Sequence, residues 1–214
     1  MSTGYDKRDM VDSFVVGVYS FARSCIGIIT RPYETYRQII AKGTLFELFP
    51  IGVLLSLYFA TNALVKVPAF RPFVLTRHFI KTSVSVVVTA VFVSWLLWTA
   101  GKLFGGKGEY KRFFLGWSYT LIPTLVWFLF TSLLYVFIPP PRTTLPTGVL
   151  LSVAFLTISV VLLFWKIILS YLSLRFGLKL DLLRIFGILL VSGPIIALYS
   201  IGMYRLGIFK VPFL

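Results

Sequence analysis

The sequence predicts an all-α integral membrane protein, five transmembrane helices preceded by amphipathic interfacial helices. Three observations carry that fold class. The chain is 58% hydrophobic and only 13% charged over 214 residues, with a mean hydropathy of +0.91, a balance foreign to water-soluble domains. Its apolar residues gather into five runs, each long enough to cross about 30 Å of hydrocarbon. The net charge of +14, from 21 basic and 7 acidic residues, is scattered between those runs. Scattered cations suit the positive-inside bias and attraction to anionic headgroups. They do not form the single patch that binds nucleic acid.

Residues 1–11 read as a flexible N-terminus. MSTGYDKRDMVD is polar, carries both signs of charge and has no evident cleavable signal peptide. Residues 12–43 read as amphipathic membrane-surface helices. Ser13, Gly17, Ser20, Ser24 and Gly27 recur at steps of three and four and give one small or polar face. Phe14, Val15, Val18, Phe21, Ala22, Cys25, Ile26 and Ile29 cover the rest. Arg23 interrupts the run, which favours an in-plane helix, with a sixth span as the alternative. Thr30 is placed to cap a second helix begun by Pro32. Tyr33, Tyr36, Ile39 and Ile40 make its apolar face, and Gly43 ends it.

The bundle occupies 44–205, with spans at 48–65, 82–100, 113–138, 149–174 and 185–204, and 206–214 is a short tail. Every backbone group inside hydrocarbon must be paired, so these runs are helices. Prolines mark the connectors at 67–72 and 139–141. Thirteen lysines and arginines fall on the side of the N-terminus and seven on the other, with Lys166 left inside the fourth run. That asymmetry predicts a cytoplasmic N-terminus and an extracytoplasmic C-terminus. Arg31, Arg37, Lys42, Lys111 and Arg112 are the expected lipid-facing cations.

Small residues stack at Gly52, Ser56 and Ala60 on the first span, and at Gly193 and Ala197 on the fifth. Such spacing lets helices approach closely in lipid, and lipid exposure of the same faces is the alternative. Pro123 and Pro194 are expected to kink their helices.

The stretch 101–123, GKLFGGKGEYKRFFLGWSYTLIP, links the second and third spans. Gly101-x-x-x-x-Gly106-Lys107 has the spacing of a phosphate-cradling loop. The motif then requires a hydroxyl residue and a preceding strand. Here Gly108 follows the lysine and an apolar helix-length run precedes it, so a tight basic turn is the better reading.

No catalytic constellation assembles. Ser118 has no base near it, since the single histidine, His78, falls in the loop before the second span, on the opposite side. No aspartate lies inside a span. One histidine, one cysteine and seven scattered acids do not make a zinc site, and no cofactor is expected. The lone Cys25 cannot form an internal disulfide and reads as a small apolar residue. Lys166 is the only ionisable residue well inside a run. It either snorkels toward the cytoplasmic face or is a buried functional cation. Glu47 and Asp181 stand where spans begin, placed to pair with nearby cations or to lie at a helix N-terminus.

Three features together resemble the Yip1-domain membrane proteins. RPYETYRQI, with Pro32, Tyr36 and Ile39, resembles the family's Pro-x-x-x-aromatic-x-x-Ile before the first span. The turn Gly105-Gly106-Lys107-Gly108, followed by Tyr110 and Phe113, resembles its glycine-rich link after the second. Gly116-Trp117-Ser118-Tyr119-x-x-x-Pro123 resembles the Gly-Tyr-Ser-Leu-x-Pro start of its third. The resemblance covers roughly 30–205 and implies five spans with a cytosolic N-terminus. The best-known eukaryotic members carry an N-terminal Asp-Leu-Tyr-Gly-Pro-Phe-Trp motif, serve early secretory transport and associate with prenylated Rab-type GTPases. That motif is not in this N-terminus, so the Rab role is not carried over; the chain looks more like the short prokaryotic members, a resemblance that implies the plasma membrane of a prokaryote.

The expectation is therefore a non-enzymatic membrane protein that binds or organises a protein partner or anionic lipid, with a homo-oligomer as a further possibility. The alternatives are a small permease with a site near the kinked third and fifth spans and Lys166, or an accessory subunit.

Overall fold

The structure is a computed structural model and describes residues 7–66, 72–137 and 146–208. Its elements are α1 (Lys7–Thr30), α2 (Pro32–Lys42), a 3₁₀ turn (Leu45–Glu47), α3 (Leu48–Lys66), α4 (Pro72–Leu103), α5 (Tyr110–Tyr119), α6 (Ile122–Phe137), α7 (Pro146–Leu178) and α8 (Leu182–Arg205). Among the described residues, five stretches are long and apolar enough to span a membrane: 45–64, 76–103, 110–134, 148–178 and 182–205. Each coincides with an expected span, within a few residues at most ends. The expected connector prolines beyond Pro72, the first residues and the tail beyond 208 lie outside the described residues.

Alternation of the helices brings the starts of α3, α5 and α8 and the ends of α4 and α7 to one end of the bundle. That end carries the two packed cores. One core joins Ile28, Tyr36 and Ile39 of α1 and α2 to Ile51, Leu115, Tyr119, Ile122 and Leu169. The other joins Leu97, Phe113, Leu174, Leu178, Ile185 and Ile188 of α4, α5, α7 and α8. Farther along, α7 is apolar on nearly every side and largely uncovered by protein: Leu150 is 71% exposed and Phe164 62%. A helix hydrophobic all round suits a lipid surround.

The face of α2 differs from expectation. Tyr36 and Ile39 are buried, and Ile40 partly so, against the bundle and not against lipid. Gly43 brings the α2 end onto Leu115, and Ile40 packs beside Gly116. Tyr33 sets its ring against Phe176 at 4.8 Å. Burying a side chain such as Ile39 contributes about 1.5–3 kcal/mol, so α2 is a docked element of the bundle's end. The small face of α1 is likewise a docking face. Gly17 lies against Phe46, and Gly27 against Thr35.

Thr30 does not cap α2. It is still in the last turn of α1, where its hydroxyl donates to the Ile26 carbonyl at 3.1 Å, and Arg31 holds the cap position. His78 is helical, because α4 already begins at Pro72, a first-turn position where proline is tolerated.

The third span breaks at Thr120–Leu121. The Thr120 and Leu121 N–H groups fall back three residues, to the Trp117 and Ser118 carbonyls. Pro123, second in α6, has no N–H to give the Tyr119 carbonyl. At Pro194, by contrast, α8 runs on without interruption.

Candidate functional site

Where α1 and α2 fold against each other they leave a cavity of about 440 Å³, within the roughly 300–1,000 Å³ range of small-ligand sites. Its cations are Arg23, Arg31 and Lys42, and its hydroxyls include Ser20 and Ser24. Gly27 and Gly43 also line it; a Cβ on either would collide with the opposing helix or with the backbone of α2 itself. Glu34 is the single acid in the wall. It meets Arg31 at 3.8 Å, with both side chains mostly in solvent, a pair worth at most about 1 kcal/mol. Arg23 and Lys42 are exposed and have no ion-pair partner among the described residues.

Behind the wall lies Glu47, 1% exposed. Its carboxyl accepts from Ser20 Oγ at 3.0 Å, from the Thr44 N–H at 3.1 Å and from the Tyr119 hydroxyl at 2.5 Å. One side chain thus fastens α1, the 3₁₀ turn and α5. The expected pairing with Lys42 does not form; the helix N-terminal role does. Asp181 occupies the cap position of α8 without a side-chain bond to it. Burial pushes the Cys25 thiol up to about 11 and raises the Tyr36 phenol as well.

The glycine turn meets the end of α7. Gly105 has φ +85°, a backbone that side chains rarely adopt. The Lys107 N–H donates to the Leu178 carbonyl at 3.0 Å, and Trp98 Nε1 to the Gly108 carbonyl at 3.2 Å. A Cβ on Gly108 would collide with the Gly177 carbonyl, and one on Gly106 would lie 2.8 Å from the Gly101 carbonyl. The glycines permit backbone contact between α7 and the turn, and Lys107 turns outward into solvent.

The remaining expected residues divide. Gly116 is buried between Ile40 and Ser173, and Tyr119 is fully buried. Gly52 and Ser56 are exposed, Ala60 is half-buried, and Cβ atoms at Gly52 and Gly193 would meet nothing within 4 Å. The packed face of α3 is instead Ile51, Phe59 and Ala63. Lys166 is half-buried in α7, with no ion pair among the described residues. Arg31, Arg37, Lys42, Lys111 and Arg112 are all exposed.

Sequence reasoning missed the cavity and the buried role of Glu47. The recurrence of Ser20, Ser24 and Gly27 was the available signal for the cavity.

Five apolar stretches long enough to cross a membrane define a multi-pass integral membrane protein. The Yip1 domain model matches residues 26–204, most of the chain. The chain belongs to the Yip1-domain family. Comparison with curated proteins and with solved structures gave no match.

Proposed function

We propose that this protein is a non-enzymatic membrane organiser whose basic end gathers anionic lipid headgroups. The observation that carries the reading is the placement of Arg31, Arg37, Lys42, Lys111 and Arg112, exposed on α2 and on the first turn of α5, two helices that pack together. Each such cation near an anionic surface contributes about 1 kcal/mol. The same end faces the cytoplasm under the positive-inside rule. Glu47 and Tyr119, two of the polar groups buried there, are engaged with each other, which favours a structural role for this pair.

The permease alternative draws less support. The cavity between α1 and α2 and the one on the outer face of α2 are lined by α1, α2, Arg31 and Gly43, and neither includes Lys166, Pro123 or Pro194.

The test is the lipid retained by the full chain after mild detergent extraction, measured by mass spectrometry against the bulk membrane. Anionic lipid is expected to be enriched severalfold. The triple variant Arg37→Gln, Lys111→Gln, Arg112→Gln is expected to lose most of that enrichment. Retained lipid at the bulk ratio in the unaltered chain overturns the reading.

A further inference from the structure

We propose that the cavity between α1 and α2 is a site for one phosphate monoester group. The inference rests on the reading of the basic end as anion-binding, and names the ligand chemistry of one place within it.

Charge matching selects the class. Arg23, Arg31 and Lys42 supply three positive charges to the wall and Glu34 one negative, leaving two uncompensated. A phosphate monoester carries about −1.5 to −2 at pH 7, whereas a phosphodiester or carboxylate carries one negative charge. The donors suit it too. Arginine presents a planar fork that matches phosphate oxygens, and lysine adds a mobile point charge. The Gln38 amide also lines the wall.

The two helices reach the cavity in a way that fixes its shape. Gly27 sets α1 against Thr35, and Ile39, beside the cavity, is anchored in the bundle core. The helices that carry the cations are therefore held by packing, while the exposed side chains of Arg23, Arg31 and Lys42 are free to adjust to the group. Ser20 links the cavity to the interior, because its hydroxyl donates to Glu47. A phosphate oxygen accepting that hydroxyl withdraws one of the three donors from the buried carboxyl.

The shared chemistry has two sources, a lipid headgroup of the phosphatidic acid type or a soluble phosphate ester. The experiment uses the full chain in a neutral detergent, titrated with short-chain phosphatidic acid, short-chain phosphatidylglycerol and glycerol 3-phosphate, with binding followed calorimetrically. Saturable one-to-one binding of phosphatidic acid, at least tenfold tighter than phosphatidylglycerol, is the expected result. Glycerol 3-phosphate binding as tightly as phosphatidic acid assigns the site to a soluble ester; binding tenfold weaker assigns it to lipid. Equal affinity for the monoester and diester lipids, or no saturable binding of any probe, overturns the proposal.

Arg23→Gln with Lys42→Gln is expected to weaken phosphatidic acid binding at least tenfold. Gln38→Glu, which adds a negative charge to the wall, is expected to weaken it too. All three positions are exposed, and unchanged helicity by circular dichroism checks the fold. The triple variant at Arg37, Lys111 and Arg112 keeps the cavity's charges and should keep this binding while losing enriched lipid. Failure of the cavity and failure of the wider lipid reading are thus read separately.

Discussion

The hydroxyl of Tyr119 donates to Oε2 of Glu47 across 72 residues of sequence, and both side chains are essentially inaccessible. The bond joins the break in the third span to the turn that opens the first. Tyr119→Phe leaves the ring in place and removes one donor from a buried carboxyl. We expect a loss of about 1–3 kcal/mol, read as a lower melting temperature in detergent. In a double-mutant cycle with Glu47→Leu the two losses should not add, because they delete one shared interaction. Additive losses would show that the two groups act independently.

Glycine substitutions separate tight contact from open surface. Gly108→Ala drives a methyl into the Gly177 carbonyl, and backbone cannot rotate aside. It should destabilise by more than about 2 kcal/mol, within the range of strong steric and strain effects. Gly52→Ala and Gly193→Ala meet nothing within 4 Å. In a helix they should be neutral or stabilising by up to about 1 kcal/mol. Thermal melts of the three variants, in parallel, check the contrast.

Cys25 supplies a pH prediction. Burial raises its thiol from 9.0 to about 11 in the folded chain. The folded state therefore holds the proton more tightly than the unfolded one. The associated stability is complete below pH 9 and is lost as pH rises from about 9 toward 11. Maleimide labelling at pH 7.5 should be slow in the folded protein and fast after denaturation. Equal rates in the two states would contradict the burial of this thiol.

Lys166→Met should leave the fold intact and raise or preserve the melting temperature, since it removes a charge from a half-buried site in an apolar helix. Anionic lipid retention should not change. Flux assays on the reconstituted chain test the permease alternative: a flux abolished by this one substitution would reinstate it.

The spans were legible because length and apolarity alone set them. The docked α1–α2 pair was legible only as amphipathic, since periodicity shows that a face is apolar but not what covers it. Tyr36 and Ile39 meet protein, and the spacing that predicted their helix is the same as for a helix on lipid. The stripe at Gly52, Ser56 and Ala60 shows the converse. Small residues permit close approach, yet the neighbouring helix lies on the Ile51, Phe59 and Ala63 face. Glu47 looked like an ordinary acid where a span begins, and nothing local pointed to Tyr119. The glycine turn was recognised, but the reason for its glycines lay in the distant end of α7.

That last contact bears on the order in which the chain is made. Gly108 emerges with the second connector, but the carbonyl it rests against belongs to Gly177, after two further spans. At about 5–20 residues per second, synthesis reaches that partner on the order of ten seconds later. During that interval the turn has neither the Leu178 acceptor nor the α7 backbone to hold it. The contact between the glycine turn and the rest of the basic end consequently forms only once the fourth span has been delivered, with the fifth still to follow.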